Sequence, residues 1–390
     1  MKLVHAKIAM LITLLLSAIF FTNDFGLIDI EKTAIVTAIA IDQTDDEYSV
    51  SMEIAVPESN KLAENKKALL SGKGKTVSGA IRDMGDTSGW YPKLYFCNLI
   101  ILGQSVAQNN VIKVLDYFAK TLRIQDSATV VLAENTAKEL LESTSPLDNI
   151  SSFALQKILL KNPGFDNDVA NIDVKTFCAD YYSKNASSLM PKVSIIRQEN
   201  TDNSNQTTKD ESTKTGGNTV FNATKTALFK NGKLVGELNE NQTFIYNLIM
   251  HPSKETALKV NGVDEAGEKT DYLLTVVDNK RKISLGADRY NLDLNISLNL
   301  FCRIADQNSK QSKTTYTENE YMDIKIIKKA EEQLYNDINS LIEVSKTSGC
   351  DFLRVNDLLY RYCHKYYPVY KDSYLSVFTP KISVSVSGQK

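Results

Sequence analysis

The chain has 390 residues, of which 43% are hydrophobic and 24% charged, and its formal net charge is -2. This composition excludes a collagen-like or wholly disordered chain, and the length predicts two or three domains. Without a basic excess for binding phosphates, we expect no nucleic-acid partner. Three histidines, scattered cysteines and the lack of a nucleophile motif disfavour an enzyme. We therefore predict no catalytic, cofactor-binding or metal-binding residues and no cofactor.

The N-terminus carries a membrane-targeting pattern. Lys2 and Lys7 flank the start of an apolar run over 8–21, and a basic flank followed by a short apolar run is typical of secretion signals. The run is shorter than the roughly 20 residues that span a bilayer comfortably. No small-residue cleavage site and no cysteine for lipid attachment follow it. We predict that 1–24 is a signal-anchor or an atypical signal peptide, with a buried core helix as the alternative, and that the remainder lies outside the cytoplasm.

The first half of the chain alternates predicted strands and helices. Residues 34–41 form an apolar, β-branched run that predicts a buried strand. After a polar turn, 48–56 alternate apolar with polar residues, which predicts a half-buried strand paired to the first as a hairpin. A lysine-rich loop is expected to continue through Lys75. Further predicted elements are a helix over 76–84, a strand over 94–102, helical spacing over 111–122, a strand over 128–133, a helix over 137–141, mostly helical residues over 147–188 and an extended segment over 191–196.

A polar segment divides the chain. Residues 198–219 include no aliphatic or aromatic side chain, so they cannot bury enough surface to offset the entropy of ordering them. They predict a linker between an N-terminal region, 25–197, and a C-terminal domain, 220–390. Beyond it, Asn231-Gly232 between two apolar segments predicts a tight hairpin. Further predicted elements are helices over 241–250, 324–342 (ended by Gly349) and 357–366, and strands over 272–277, 282–285, 292–300 and 382–386.

One short motif resembles a phosphate-binding loop. The sequence Gly-Lys-Gly-Lys-Thr at 72–76 resembles its end, but Leu69 occupies the position of an essential glycine and no apolar strand precedes it. A solvated basic loop is the better interpretation. The acidic runs 45–47 and 331–332 lack EF-hand spacing and are expected on a turn and a helix surface.

The histidines and cysteines are expected to have structural roles. His251 follows a predicted helix and is expected at its end, and His364 lies within the tyrosine-rich segment 360–374. That segment is interpreted as aromatic core packing or, alternatively, as an interface. We expect buried free thiols at Cys97, Cys178 and Cys302, and a bridge between Cys350 and Cys363 stays open.

Several segments occur in an order that is typical of one family. They are KTAIVTAIAID at 32–42, TVSGAIRDM at 76–84, KLYFCNLIILGQSVA at 93–107, ALFKNGKLVGEL at 227–238, YRYCHKYYP at 360–368 and the closing strand at 381–388. Together they resemble the Ger(x)C family of spore germination proteins, which are C subunits of nutrient germinant receptors in endospore-forming bacteria.

The chain also departs from the family pattern. Asp-Phe-Gly at 24–26 stands where the family has a lipobox cysteine followed by Trp-Asp, so lipid attachment is not expected. Asn98 replaces a common histidine, and Lys120-Thr121 replaces an Arg-Asp pair. Tyr370 and Tyr374 stand at tryptophan positions. The resemblance is therefore to a divergent member.

The predicted fold class is α+β, with mixed sheets and packed helices in two to three domains behind an N-terminal membrane-targeting helix. The resemblance implies three domains, with the first region dividing near 133–147. It also implies a non-enzymatic, membrane-associated subunit of a spore germinant receptor complex. This subunit would act in nutrient-triggered germination on the outer face of the spore inner membrane, with A-type and B-type membrane subunits as partners.

Two other functions stay open from the residues alone. The first is an extracytoplasmic solute-binding protein, which needs a ligand cleft between domains. The second is an exported enzyme that uses an ordered pair of buried carboxylates in a cleft.

Overall fold

The structure is a computed structural model of the chain. It describes residues 2–22, 33–55, 67–121, 124–145, 148, 150–160, 168–197, 219–265, 268–308 and 321–389.

Helices and strands are interleaved along these residues. The helices are α1 (Lys2–Thr22), α2 (Val77–Ser88), α3 (Gln104–Asn109), α4 (Ile112–Thr121), α5 (Ala137–Glu142), α6 (Ser151–Leu159), α7 (Val174–Tyr182), α8 (Glu240–Met250), α9 (Ile324–Ser348), α10 (Val355–Tyr362), α11 (Tyr367–Tyr370) and α12 (Tyr374–Val377). The strands are β1 (Thr33–Thr44), β2 (Glu47–Ala55), β3 (Lys67–Gly74), β4 (Tyr91–Lys93), β5 (Leu99–Leu102), β6 (Thr129–Ala133), β7 (Ser187–Arg197), β8 (Thr219–Lys230), β9 (Lys233–Leu238), β10 (Thr256–Glu265), β11 (Glu268–Ala287), β12 (Leu292–Asn308) and β13 (Thr379–Gln389). The α+β class with mixed sheets is confirmed.

The first sheet has the strand order β3-β2-β1-β5-β6-β7-β8-β9, and the short β4 pairs with the start of β1. Its centre, from β1 through β5 and β6 to β7, is parallel, and its outer strands are antiparallel. The predicted hairpin is confirmed, with Ile39 of β1 opposite Met52 of β2. Helices cover both faces of this sheet, because buried residues of α2, α4 and α7 pack on one face and those of α5 and α6 on the other.

The prediction of a lysine-rich loop through Lys75 is wrong over 67–74, since β3 pairs antiparallel with β2. The glycines of this strand allow the backbone of α2 to pack closely against it. A Cβ atom at Gly74 would lie 2.6 Å from the backbone nitrogen of Ala80, and one at Gly72 would overlap the carbonyl oxygen of Ala80. Glycine in a strand often marks such a close approach of another backbone. The Gly-Lys-Gly pattern therefore reflects packing of helix on strand, and Thr76 caps α2 by accepting a hydrogen bond from the Gly79 N–H.

The first sheet continues beyond the polar segment. β7 and β8 are antiparallel neighbours, with Arg197 opposite Thr219, and β9 returns alongside β8. The predicted turn at Asn231-Gly232 is confirmed, with φ angles of 52° and 74° that are typical of a type I′ hairpin. The strands on either side of 198–219 thus share one sheet, and the division of the chain into domains stays a prediction.

The second sheet has the order β10-β11-β12-β13, in which only β12 and β13 are parallel. β11 is one long strand where two strands were predicted. α9 packs on β10 and β13 through a buried stripe that includes Ile326, Leu334 and Ile338. Gly349 ends this helix in the left-handed region at φ 66°, as predicted.

The N-terminal helix α1 exposes apolar side chains all around its surface. Val4, Met10, Leu11 and Leu14 are each more than half exposed. None of the helices in the described part of the chain combines the length and apolar character needed to cross a membrane.

Candidate functional site

Both histidines beyond α1 have the predicted structural environments. The His251 N–H donates to the Asn247 carbonyl and ends α8, and burial, with two nearby arginines, lowers the pKa of its imidazole. His364 stacks parallel to the ring of Tyr367 and meets Tyr360 edge-on. The backbone of His251 thus ends α8, and both imidazole rings pack against tyrosine rings.

The cysteines are free thiols. Cys97, Cys178 and Cys302 are buried as expected, and burial raises the pKa of Cys97 to about 12. Cys350 and Cys363 do not form a bridge, because the first donates to the Phe229 carbonyl and the second to the Leu285 carbonyl. Among the residues that the structure describes, no group of three or more His, Cys, Asp or Glu side chains could hold a metal ion.

A buried carboxylate lies where β2 meets the start of α6. Glu53 is fully buried, which corrects the expectation that the second strand of the hairpin is only half-buried. Its Oε2 accepts from the Ser151 N–H at 2.9 Å. Its Oε1 accepts from the Ser152 N–H at 3.2 Å and from the Thr37 hydroxyl at 2.9 Å. The first N–H groups of a helix have no partner within the helix, and its dipole favours negative charge there. Glu53 therefore fixes the start of α6 on the sheet.

Lys67 of β3 completes this cluster. Its Nζ lies 3.9 Å from Glu53 Oε2 and donates to the Leu141 carbonyl at 3.1 Å and the Ser151 hydroxyl at 2.6 Å. Burial lowers the pKa of Lys67, and the Glu53 charge opposes that shift. A lysine beside a serine can activate a nucleophile. However, Ser151 is fully buried and its hydroxyl also donates to Leu141 O at 2.9 Å. The cluster is therefore a saturated structural network, here called the Glu53 network.

A second buried carboxylate joins the C-terminal segment to the first sheet. Asp351 accepts from the Val355 N–H at 2.8 Å and the Asn356 N–H at 2.9 Å, at the start of α10. Its own N–H donates to the Ser187 hydroxyl of β7 at 3.0 Å, and the Asn185 amide donates to its carbonyl at 3.3 Å. Burial raises the pKa of Asp351 to about 6, against the lowering effect of these hydrogen bonds. We call this set the Asp351 junction.

An ion pair lies beside this junction. Arg354 has a φ of 58°, in the left-handed region, and its guanidinium lies 2.9 Å from Asp180 of α7. Burial raises the pKa of Asp180, and Arg354 opposes that shift.

The tyrosine-rich segment divides between core and surface. Tyr370 and Tyr374 are buried, and their hydroxyls bond the Asp288 carbonyl and Asp351. Tyr362 is 74% exposed, whereas Tyr360 carries the ammonium of Lys184 at 3.2 Å above its ring. Core packing thus accounts for the later tyrosines, and the earlier ones face outward.

A polar groove of about 570 Å³ lies between α8, α9 and β10. Its polar lining comprises Asp168, Glu240, Asn241, Lys259, Asn261, Gln333 and Asp337. Burial raises the pKa of Asp337, and a hydrogen bond from Asn241 opposes that shift. Glu240 is exposed. The buried acidic side chains of the described residues are Glu53 and Asp351, and they lie in separate networks rather than in this groove.

Sequence reasoning did not single out Glu53, Lys67 or Asp351 as a group. A charged residue inside an apolar strand is the signal that could have found Glu53, because such a charge needs buried partners. Asp351 has a weaker signal, since an aspartate just before a helix also suits an exposed cap.

Comparisons with known proteins agree with the fold. The family model described as "Spore germination protein N-terminal domain" matches residues 27–195, and the model described as "Spore germination B3/ GerAC like, C-terminal" matches 224–388. No curated protein matches the sequence.

A solved structure entitled "Crystal Structure of the GerBC protein" is similar in fold. The TM-score is 0.52 at 16% sequence identity, over 93% of this chain and 99% of that chain. At this identity the similarity concerns the fold alone. The two family models cover most of the chain in the expected order, and the chain belongs to the Ger(x)C family of spore germination proteins.

Proposed function

We propose that the chain is a non-enzymatic subunit of a spore germinant receptor complex and acts in nutrient-triggered germination. The observation that carries this proposal is the succession of two GerAC-like family matches over 27–195 and 224–388. The polar networks support a structural role, because the buried carboxylates of the Glu53 network and the Asp351 junction bind the first N–H groups of α6 and α10 and hold these helices to the first sheet.

We place the subunit at the membrane, on the outer face of the spore inner membrane, with A-type and B-type membrane subunits as partners. Residues 1–24 would serve as a signal-anchor or an atypical signal peptide. The basic flank of α1 and its exposed apolar side chains support this assignment. Confinement to the membrane raises the effective concentration of the folded part near its membrane partners without new contacts.

The test is dipicolinic acid release from spores that lack the protein, measured beside spores complemented with the intact gene. We expect a specific loss of response to at least one nutrient, restored by complementation. Unchanged release across a broad nutrient panel, in a strain without other receptors of this family, would contradict the proposal.

A matched complementation addresses the membrane assignment separately. A gene that lacks the codons for residues 2–22 keeps both sheets and removes α1. We expect this gene to fail to restore the nutrient response although the shortened protein accumulates. Full restoration by a shortened protein found in the spore's soluble fraction would contradict membrane attachment through 1–24.

An extracytoplasmic solute-binding protein is the second candidate. The polar groove supports it, because carboxylates, amides and Lys259 line one concave surface and such groups orient small polar ligands. Calorimetric titration of the purified chain with amino acids and sugars would show saturable binding. Asp337→Ala should abolish that binding, and Asp372→Asn, at an exposed site outside the groove lining, should leave it unchanged.

A further inference from the structure

A short segment of the first sheet exposes four aromatic rings. Trp90, Tyr91, Tyr95 and Phe96 are exposed by 46%, 50%, 64% and 54%, whereas Leu94 between them is buried. The fold therefore fixes this exposure, since Leu94 anchors the segment in the core. Contiguous exposed apolar surface of this kind marks an interaction site. We call Trp90–Phe96, with the neighbouring Ile35 of β1, the aromatic end.

The aromatic end lies where the chain enters the first sheet. β4 runs parallel to the start of β1, with Tyr91 beside Thr33 and Lys93 beside Ile35. Helix α1 ends at Thr22 and β1 begins at Thr33. The intervening residues can span at most about 40 Å, at roughly 3.3–3.6 Å per residue. Whatever surrounds the end of α1 is therefore within reach of the aromatic end.

The exposed side chains of α1 indicate the medium that surrounds this helix. Ile8, Leu11 and Leu15 are each more than half exposed on this apolar helix. An apolar helix with a basic N-terminal flank partitions into lipid. The connection to α1 thus keeps the aromatic end within reach of a lipid surface.

The chemistry of the aromatic end fits the headgroup layer of a bilayer. Trp and Tyr concentrate at membrane interfaces because each has an apolar body and a polar tip. Arg82 and Lys93 line the same groove as Tyr91 and Tyr95. Asp86 lies 3.8 Å from Arg82, which leaves Lys93 as the net positive charge toward anionic lipid phosphates.

We propose that the aromatic end inserts into the headgroup layer of the bilayer that holds α1, so that the first sheet stands on the membrane at the start of β1. This inference deepens the proposed membrane attachment and rests on it. It names lipid as the occupant of the surface, in place of a second copy of the chain or another protein.

Trp90 is a built-in probe, because the chain has one tryptophan. The experiment uses the purified full chain, reconstituted into vesicles of phosphatidylglycerol and phosphatidylethanolamine with plain or brominated acyl chains. We expect Trp90 emission to move to shorter wavelength, to be quenched by brominated lipid and to lose most of its quenching by acrylamide. Flotation of the same samples reports membrane attachment independently.

The outcomes separate this inference from the attachment itself. A chain that floats with vesicles while Trp90 stays accessible to acrylamide and unaffected by bromine would overturn the inference and leave attachment standing. A chain that does not float would overturn both. Protection of Trp90 that rises with protein concentration in lipid-free buffer would assign the surface to a second copy and overturn the inference.

Two matched variants test the side chains. Y95S with F96S keeps the probe and removes two exposed rings, so quenching by brominated lipid should fall toward the lipid-free value while flotation persists. Y290S with Y321S removes two tyrosines that are 83% and 86% exposed elsewhere and should leave Trp90 quenching unchanged. Equal effects of the two double variants would overturn the inference. Circular dichroism of each confirms folding.

Discussion

The Glu53 network and the Asp351 junction are two solutions to burying a carboxylate in one molecule. Glu53 has a lysine at 3.9 Å and the start of α6. Asp351 receives its closest hydrogen bonds from the neutral N–H groups of Val355 and Asn356. Both side chains are fully buried. The one without a nearby counter-charge has its pKa raised to about 6.

The two arrangements are destabilised by different changes. Removing one partner of a buried ion pair destabilises the folded protein, because the other charge is left buried without compensation. Ionisation of a buried carboxyl group that has only neutral donors destabilises the folded protein, because burial disfavours the charged form. We therefore expect removal of one partner to destabilise the Glu53 network, and rising pH to destabilise the Asp351 junction.

The largest expected effect is on the Glu53 network. Glu53→Ala leaves Lys67 and the Ser151 and Ser152 N–H groups without their carboxylate, and should lower the free energy of unfolding by about 4 kcal/mol. Chemical denaturation measures it. In a cycle with Lys67→Met, the double variant should be less destabilised than the sum of the single variants. Strict additivity would show that the two charges do not compensate each other.

The pH response of the Asp351 junction comes next. Its pKa is raised from 3.8 to about 6 in the folded protein, so the folded state binds the proton more tightly than the unfolded chain. The stability from this group is complete below pH 3.8 and declines as the pH rises to about 6, by about 3 kcal/mol in total. Denaturation across this window should show the wild type losing stability relative to Asp351→Asn, whose side chain does not ionise, as pH rises. A constant difference would contradict the shift.

A substitution at Gly72 of β3 tests packing near the Glu53 network without changing any charge. Gly72→Ala forces a methyl group against the Ala80 carbonyl of α2 and should cost about 2 kcal/mol. Gly85→Ala is the matched control inside α2, where the nearest atom is 3.5 Å away, and should gain about 0.5–1 kcal/mol. Thermal denaturation of both compares them. If Gly72→Ala were neutral, the close approach of α2 to β3 would not be needed.

The smallest effect concerns Arg354 beside the Asp351 junction. Arg354→Ala loses the partly exposed ion pair with Asp180, worth about 0.2–1 kcal/mol, and keeps the left-handed backbone. Arg354→Gly loses the same pair but removes a backbone cost of about 1–2 kcal/mol. The glycine variant should therefore be the more stable of the two by about 1 kcal/mol in urea denaturation. The reverse order would show that α10 begins in a relaxed conformation.

The sequence predicted the elements whose signals are local. Alternation defined the β1–β2 hairpin, Asn231-Gly232 defined the turn between β8 and β9, and an apolar stripe with Gly349 defined α9 and its end. It failed at β3, because lysine and glycine are typical of loops and the glycines are required by α2, a neighbour in space. It also missed β10, where Leu258 and Val260 alternate with the exposed Lys259 and Asn261, because this alternation is short and a register shift follows Val260.

The candidate site was less predictable than the fold. Glu53 looked like one more polar residue on an alternating strand, and only the second layer of helices, α5 and α6, makes its position buried. Asp351 depends on β7, which lies more than 150 residues earlier in the chain. Such partners come from tertiary packing, which residue type and spacing in one sequence do not encode directly.

The pairing of β7 with β8 has a consequence for anyone who divides this protein. One family match ends within β7, at residue 195, and the other begins within β8, at residue 224. These two strands exchange backbone hydrogen bonds from Ser187–Lys230 to Arg197–Thr219. Expressing either half alone would leave a long row of unpaired N–H and C=O groups along its new border. Unprotected borders of this kind recruit strands from other molecules. Separately produced halves should therefore precipitate alone and recover solubility when refolded together, as a split protein reassembles.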